Sequence, residues 1–318
     1  MKPPYTISTD ILRLTASISE KIGIAQTLHL NRPSPQLRRQ NKIKTIQASL
    51  AIEGNSLSTE QITAMIDNKS VIGPAKDILE VSNAIKVYEE LHKLNPYEIS
   101  SFLHAHKLLM EGLIERPGKF RTGAVGIFKD TQIAHLAPPA ERLPFLMKQL
   151  FAYLKEDDDP MLIKSCVVHY EIEFIHPFID GNGRMGRLWQ TLALMQEYPI
   201  FEYLPFETII KEQQQTYYRV LGICDKQGQS TLFIEFMLSA IDEALSKIIQ
   251  TPVKKLTADE RMRYFLSTTE DDFFTRKDYL KMFKDISTAT ASRDLRRAVK
   301  QGLIVREGDK RTSRYKKN

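Results

Sequence analysis

Cysteine is nearly absent from this chain. Among 318 residues there are two, Cys166 and Cys224, in separate apolar segments and without C-x-x-C spacing. That excludes a disulfide framework and a cysteine zinc site, and predicts two buried free thiols. Long apolar runs are missing as well. No uninterrupted stretch reaches the roughly 18 residues of a membrane-spanning helix, and Met-Lys-Pro-Pro-Tyr-Thr-Ile-Ser-Thr-Asp at the start lacks the apolar core of a signal peptide. The expectation is a cytoplasmic protein with no membrane partner. Nothing repeats at a solenoid period, and 42% hydrophobic residues, 26% charged residues, 14 Gly and 15 Pro carry no bias away from an ordinary globular composition. The length exceeds what one core usually serves, so at least two domains are expected.

What the chain does have is an uneven charge. Its net +6 divides sharply: residues 251–318 hold 18 Lys/Arg against 10 Asp/Glu, a net of +8, which leaves 27 against 29, a net of −2, for residues 1–250. The basic character belongs to the C-terminal part.

Most of residues 5–250 reads as amphipathic helix, with apolar spacings of three and four such as Ile43, Ile46, Leu50 and Leu143, Leu146, Leu150, Leu154. The exception is residues 118–139, where two short β-type runs, residues 124–128 and 132–136, flank Lys129-Asp130-Thr131 and predict a hairpin. Residues 68–74 and Asn95-Pro96 read as loops, and residues 250–257, with Pro252 and Lys254-Lys255, as a linker. From Arg261 to Tyr315 the order is helix, helix, helix, strand, strand, which predicts a winged helix-turn-helix. Its third helix, residues 287–300, carries Thr290, Ser292, Arg293, Arg296 and Arg297 as donors for phosphates and bases, and the wing tip adds Lys310, Arg311 and Arg314. Slightly favoured over protein docking is DNA as the partner of this domain.

The densest chemistry lies in His176-Pro177-Phe178-Ile179-Asp180-Gly181-Asn182-Gly183-Arg184-Met185-Gly186-Arg187. A largely buried apolar helix ends at His176, because a residue before proline avoids the helical conformation. Gly181-Asn182-Gly183 then allows backbone conformations closed to larger residues, and a helix resumes after it. Amides at that helix start form an anion site, to which Asn182 can add its side-chain amide. Arg184 and Arg187, three apart, clamp neighbouring phosphates, Asp180 is placed to hold a bridging Mg²⁺, and His176 is suited to take a proton from a hydroxyl near neutral pH. Residues 181–186 also spell G-x-G-x-x-G, but no strand precedes them and no βαβ unit surrounds them, so the dinucleotide reading fails. The P-loop reading of residues 112–119 fails by one residue of spacing. His169 and Glu173, four apart, read as a paired core histidine.

The loop at residues 176–187 resembles without mismatch the signature H-P-F-x-D-G-N-G-R-x-x-R of Fic-domain proteins. Arg121, the hairpin up to Pro138-Pro139 and Tyr217-Tyr218-x-x-Leu221 extend the resemblance over most of residues 40–250. It implies a mainly α fold: a Fic-type helical bundle with a β-hairpin flap, followed by the small α+β winged helix-turn-helix domain. The domains implied are residues 1–105 with an inhibitory helix at about 43–54, a catalytic core at 106–250, a linker at 251–256 and the winged domain at 257–318.

It further implies AMP transfer from ATP to a Ser, Thr or Tyr hydroxyl of a target protein, with Mg²⁺ as cofactor and pyrophosphate released. In that scheme His176 is the base and Asp180 the metal ligand. Gly181, Asn182 and Gly183 cradle phosphate, Arg184 and Arg187 clamp the β- and γ-phosphates, and Tyr217 and Tyr218 line the adenine end, with buried aromatic packing as the alternative. The flap would hold a target segment by strand addition through Ile127, Phe128, Gln132 and Ile133. Glycine at 181, where phosphate-transferring members tend to carry alanine, favours AMP.

Upstream, Ser49-Leu50-Ala51-Ile52-Glu53-Gly54 resembles the family's inhibitory pattern [S/T]-x-x-x-E-[G/N]. Glu53 is then expected to pair with Arg187 and keep it from the γ-phosphate. The alternatives are a DNA-binding regulator that uses the Fic site as nucleotide sensor, removal rather than addition of AMP, and phosphate transfer. A homodimer is compatible with all of these.

Overall fold

The structure, a computed structural model, describes residues 2–27, 35–123, 126–129, 132–250, 256–269, 272–283, 286–309 and 313–318. The chain forms two compact units, one of Met1–Arg32 with Gln40–Gln250 and the other of Pro33–Arg39 with Thr251–Asn318. Residues 251–255, most of the expected linker, lie outside the described part.

The helices α1 (Thr9–Thr27), α2 (Pro35–Ile52), α3 (Thr59–Ile66), α4 (Ala75–Glu89) and α5 (Ile99–Met110) precede a hairpin of β1 (Gly126–Lys129) and β2 (Gln132–Leu136). After it come α6 (Leu143–Glu156), α7 (Met161–Ile175), α8 (Asn182–Glu197), α9 (Glu207–Glu212), α10 (Gln214–Gln227) and α11 (Thr231–Gln250). The centre is α7. Its sequence is apolar on every side rather than along one stripe, and nearly all of its side chains are buried, the pattern of a helix enclosed by others. α6, α8 and α11 pack directly on it, and α1 lies along α11. The crossing of α7 and α8 is close because residue 186 is glycine: a methyl group there would run into the ring of His169.

Loops fall where turn residues stand. Asn68, with φ 55°, ends the α3 region before α4, and Ser58 with Gln61 forms a capping box that starts α3. In the hairpin Ile127 pairs with His135 and Phe128 with Ile133, so Ala134 is an extra residue that bulges β2. The first strand is described from Gly126; residues 124 and 125, where the sequence starts the expected run, lie outside the described part.

The second unit contains α12 (Ala258–Thr268), β3 (Phe273–Phe274), α13 (Arg276–Met282), α14 (Thr288–Lys300), β4 (Ile304–Glu307) and β5 (Arg314–Lys317), with the antiparallel sheet ordered β3-β5-β4. Thr257 with Glu260 and Thr275 with Asp278 form capping boxes, and the Ser287 hydroxyl caps α14. The sequence pattern called for three helices and two strands. β3 is an addition, because two residues are too few to display alternation. α12 also starts three residues before Arg261, where Thr257 caps it. Phe265, Phe274, Tyr279, Phe283, Leu295 and Ile304 fill a separate small core. Among the described residues no helix is long and apolar enough to cross a membrane.

Candidate active site

α7 ends at His176, which takes the left-handed conformation (φ 49°, ψ 61°), and α8 begins at Asn182 after Gly181 at φ 87°. The turn between them is fastened from inside. Asn182 is 2% exposed, and its amide both accepts from Phe178 N and donates to Phe178 O at 3.0 Å. The side chain expected to face phosphate braces the loop, its donor and acceptor matched to the C=O and N–H of one residue. Phe178 in turn stacks on the His106 ring at 3.5 Å. His106 accepts Gly118 N–H at Nδ1 and donates from Nε2 to Asp180 O at 3.0 Å, so it is the neutral tautomer, and burial draws its pKa down to about 4.

His176 is half-buried. Its Nδ1 lies 3.3 Å from Glu173 O, and since a carbonyl only accepts, that nitrogen carries the proton and Nε2 is the basic one. The backbone of His176 is held by Arg121, which is 3% exposed and donates to His176 O at 2.7 Å, Ile175 O at 3.3 Å, Pro138 O at 2.5 Å and Gly123 O at 2.8 Å. One guanidinium thus ties the loop to both ends of the hairpin. The hairpin's pairing is described only as backbone; the side chains of Ile127, Phe128, Gln132 and Ile133 lie outside the described part.

Arg187 is fully buried. Its Nε donates to Ser49 Oγ at 3.0 Å and its Nη2 to Ser49 O at 3.0 Å and to Glu53 Oε1 at 2.6 Å. Ser49 and Glu53 thus meet the arginine as the inhibitory pattern implies. α2 ends at Ile52, the next two residues turn by hydrogen bonds from Glu53 N to Leu50 O and Gly54 N to Ala51 O, and Gly54 (φ 92°) is the left-handed residue after the helix. Glu53 is therefore both a helix-end residue and the arginine's partner. Its carboxylate also lies over the first turn of α8: a methyl group at Gly183 would lie 2.5 Å from Glu53 Oε1 and 3.0 Å from Glu173 Oε1. The amides of a first helical turn have no intrahelical acceptor and favour an anion, and the Glu53 carboxylate stands beside that turn at Gly183.

Arg184 does not stand beside Arg187 as a second free clamp. It is 5% exposed, with Nη1 on Glu80 Oε1 at 3.2 Å and Nη2 on Asp180 Oδ1 at 3.1 Å. Asp180 Oδ1 also accepts Gly181 N at 2.6 Å; its carboxylate is half-exposed and Oδ2 takes part in neither bond.

Tyr217 is buried completely. Its hydroxyl lies 3.1 Å from His169 Nε2 and donates to Glu173 Oε1 at 3.0 Å, while His169 Nδ1 meets Gln190 Oε1 at 2.8 Å. His169 is thus paired in the core, with Gln190 and Tyr217 rather than with Glu173. Tyr217 packs instead of lining a pocket, the alternative weighed above. Burial and the Glu53 carboxylate push the Glu173 pKa up to about 7. Tyr218 is partly exposed and donates to Ile52 O at 3.2 Å, which also accepts Gln214 Nε2 at 2.7 Å, so it holds the end of α2. Both cysteines are free and buried.

In the second unit, Arg293, Arg296, Arg297 and Lys300 are exposed on α14. Arg297 pairs with Asp259 at 2.7 Å, and Ser292 Oγ accepts Arg276 at 2.9 Å. Thr290 Oγ1 accepts Arg293 at 3.3 Å. Lys310 and Arg311 lie outside the described residues.

Sequence reasoning missed Glu80 and His106. Each is a polar residue inside an apolar helical face, Glu80 between Leu79 and Val81 and His106 between Phe102 and Met110. A charge or imidazole at a core position is the signal that could have drawn attention to them.

Residues 96–194 match the model of the Fic/DOC family. A solved structure of a Fic family protein from Desulfovibrio desulfuricans G20 is 41% identical, with a TM-score of 0.77 over 100% of this chain and 98% of that one. The chain belongs to the Fic family. Fic-1 (aa134–508) of C. elegans shares the fold at a TM-score of 0.63 and 19% identity, over 75% of this chain and 72% of that one. Protein adenylyltransferase Fic of Drosophila grimshawi is 28% identical over 73% of this chain and 48% of its own length, and protein adenylyltransferase fic-1 of Caenorhabditis briggsae 26% identical over 67% and 42%. The chain spans about half the length of these curated relatives.

Proposed function

We propose that this protein is an adenylyltransferase that moves AMP from ATP to a hydroxyl of a target protein and is held in check by Glu53. The observation that carries the reading is a carboxylate seated on Arg187 and beside the first turn of α8, at the end of a loop whose first residue is a histidine with Nε2 as the basic nitrogen. A polyphosphate fits the same donors once Glu53 leaves. Arg187 then takes the terminal phosphate, and the first-turn amides of α8 take the phosphates nearer the ribose. The target hydroxyl oxygen attacks the α-phosphorus, the bond from that phosphorus to the β-bridging oxygen breaks, pyrophosphate leaves, and His176 Nε2 accepts the hydroxyl proton. The hairpin presents the target segment by strand addition.

Asp180 is a fit for Mg²⁺, since its carboxylate is half-exposed with one oxygen outside the loop's hydrogen bonds, and such sites commonly use one or two carboxylates with phosphates and waters. The ion would neutralise charge on the leaving pyrophosphate. Among the described residues no cluster of three or more His, Cys, Asp or Glu could hold a metal by itself.

The test is intact-mass measurement after incubation with ATP and Mg²⁺, comparing wild type, Glu53→Gly and Glu53→Gly/His176→Ala. An AMP adduct that grows in the first variant and is lost in the second is expected; a phosphate adduct, or none in any chain, would reject the reading. Loss of AMP from a labelled target on adding wild type, with water as the acceptor, would point to removal of AMP by the same site.

A second reading concerns the C-terminal unit. The helix, strand, helix, helix, strand, strand order and the exposed Arg293, Arg296 and Lys300 of α14 support a winged helix that docks on duplex DNA. Binding that weakens steeply with salt and is lost on deleting residues 256–318 is expected; salt-insensitive binding or none rejects it.

A further inference from the structure

Arg187 is met by Glu53 from the end of α2, and Arg184 is met by Glu80 from α4. Glu80 is 6% exposed, where a carboxylate persists only with partners, and its two oxygens have different ones. Oε1 accepts Arg184 Nη1 at 3.2 Å, and Oε2 accepts Asn55 Nδ2 at 2.9 Å. Asn55 stands two residues beyond Glu53. It also donates to Asp77 O at 3.1 Å and accepts Leu57 N at 3.1 Å, while Ser56 N and Oγ donate to Asp77 Oδ2 at 2.8 and 2.6 Å. The turn that carries Glu53 is thereby stitched to the first turns of α4.

We propose that Glu80 is a positioning residue with two tasks: through Oε1 it orients Arg184 for the nucleotide phosphates, and through Oε2 and Asn55 it seats the turn that delivers Glu53 to Arg187. One carboxylate then sets both the phosphate-binding arginine and the inhibitory glutamate, and α4 is the brace between them. The chemistry requires an acid at this position. Both partners are donors, so two acceptors are needed, and a glutamine has one acceptor oxygen and an amide group that would face a donor. Arg184 alone would call for a counter-charge without any link to Asn55, and a turn anchor alone would need no charge at all.

The inference rests on the nucleotide reading of the site, and its two halves are tested separately on the full chain. Asn55→Asp keeps the acceptor for Leu57 but replaces the donor facing Glu80 with an acceptor. It is expected to raise ATP-dependent labelling severalfold over wild type and to add nothing in the Glu53→Gly background, where the inhibitor is already gone. Asn55→Ala gives a second variant with the same expected pattern should the aspartate disturb folding. In the Glu53→Gly background Glu80→Gln is expected to weaken ATP binding, read by calorimetry, by roughly tenfold, the scale of losing a hydrogen bond to a charged group, with KM for ATP rising more than kcat falls.

Asn55 variants labelled no faster than wild type, while Glu53→Gly is, overturn the Oε2 task. An ATP affinity equal in Glu53→Gly and Glu53→Gly/Glu80→Gln overturns the Oε1 task. A fall in melting temperature with kcat lowered and KM for ATP unchanged would mark Glu80 as structural only, and overturns both. If Glu53→Gly binds ATP without transferring AMP, the adenylylation reading fails while the calorimetric comparison still decides the role of Glu80.

Discussion

Glu53 Oε1 accepts a hydrogen bond from Arg187 Nη2 at 2.6 Å, on a guanidinium that, among the described residues, otherwise hydrogen-bonds only to Ser49. Arg187 Nη1 has no partner among the described residues. Burial works against the charge, and Glu53, Tyr217 and Glu173 around it hold it protonated. The arginine is thus committed to α2 and retains donor capacity, the condition of a group that can exchange one anion for another.

Stability and activity are therefore expected to move in opposite directions on Glu53→Gly. Removing the carboxylate strands a buried charge, at a cost of about 2 kcal/mol on the scale of charged hydrogen bonds, and opens the anion position. Chemical denaturation should give a lower midpoint, and labelling with ATP a higher rate. ATP should then restore more stability to the variant than to wild type, through its binding to the folded chain alone. A variant as stable as wild type and equally inactive would separate Glu53 from both roles.

Gly181 carries a second expectation. At φ 87° an alanine is strained, and its methyl would lie 2.8 Å from Met110 Sδ. Gly181→Ala should destabilise by about 1–3 kcal/mol and shift the start of α8. The readout is the denaturation midpoint, with ATP affinity measured in the Glu53→Gly background. An unchanged midpoint would mean that the loop adapts.

Much of this was legible in the sequence because covalent constraints act locally. Proline after His176 stops α7, and glycine at 181 permits the left-handed turn before α8, so the loop and the α7–α8 pair follow from residues in order. The Glu53–Arg187 pair, 134 residues apart, was legible only through the resemblance to a family pattern. Glu80 and His106 were not, since a polar residue on an apolar face declares that it has a partner without declaring which. Asn182 and Arg184 were placed in the right loop without the side chains and backbone they meet there, for the same reason: spacing fixes which side of a helix a side chain leaves from, while Phe178, Glu80 and Asp180 decide where it ends. β3 was lost to its brevity.

Arg121 offers a third prediction. Its fork reaches four carbonyls on three segments, and a lysine has a single ammonium that cannot span them. Arg121→Lys should lower transfer to a protein target by about tenfold or more, on the scale of lost charged hydrogen bonds, while ATP affinity in the Glu53→Gly background stays within a factor of about 2, because none of its bonds reaches α8. Parallel loss of both would place Arg121 in general stability rather than in the join between loop and hairpin.

The pH dependence of stability isolates Glu173. Burial first, and then the Glu53 carboxylate, raise its pKa from 4.5 to about 7, with Arg187 and Tyr217 pulling the other way. Between those values the folded chain keeps a proton that the unfolded chain has released, so the stabilising contribution is whole below about 4.5 and is lost as pH rises through about 7. Glu171 and Glu207 are raised in the same sense. His106 and His169, lowered to about 4 and about 3, act oppositely: the chain loses stability as pH falls below 6.5 toward those values. The wild-type profile mixes these, but the difference between Glu173→Gln and wild type does not. Glutamine cannot ionise, so the melting temperature of the variant minus that of wild type should grow as pH is raised across that window. In a Glu53→Gly background the larger of the two carboxylate influences, Glu53 over Asp225, is gone, and the same difference should grow over a narrower range that ends at lower pH. A difference independent of pH would mean that Glu173 is already ionised throughout, and that the buried carboxylate beside Glu53 is held charged by Arg187.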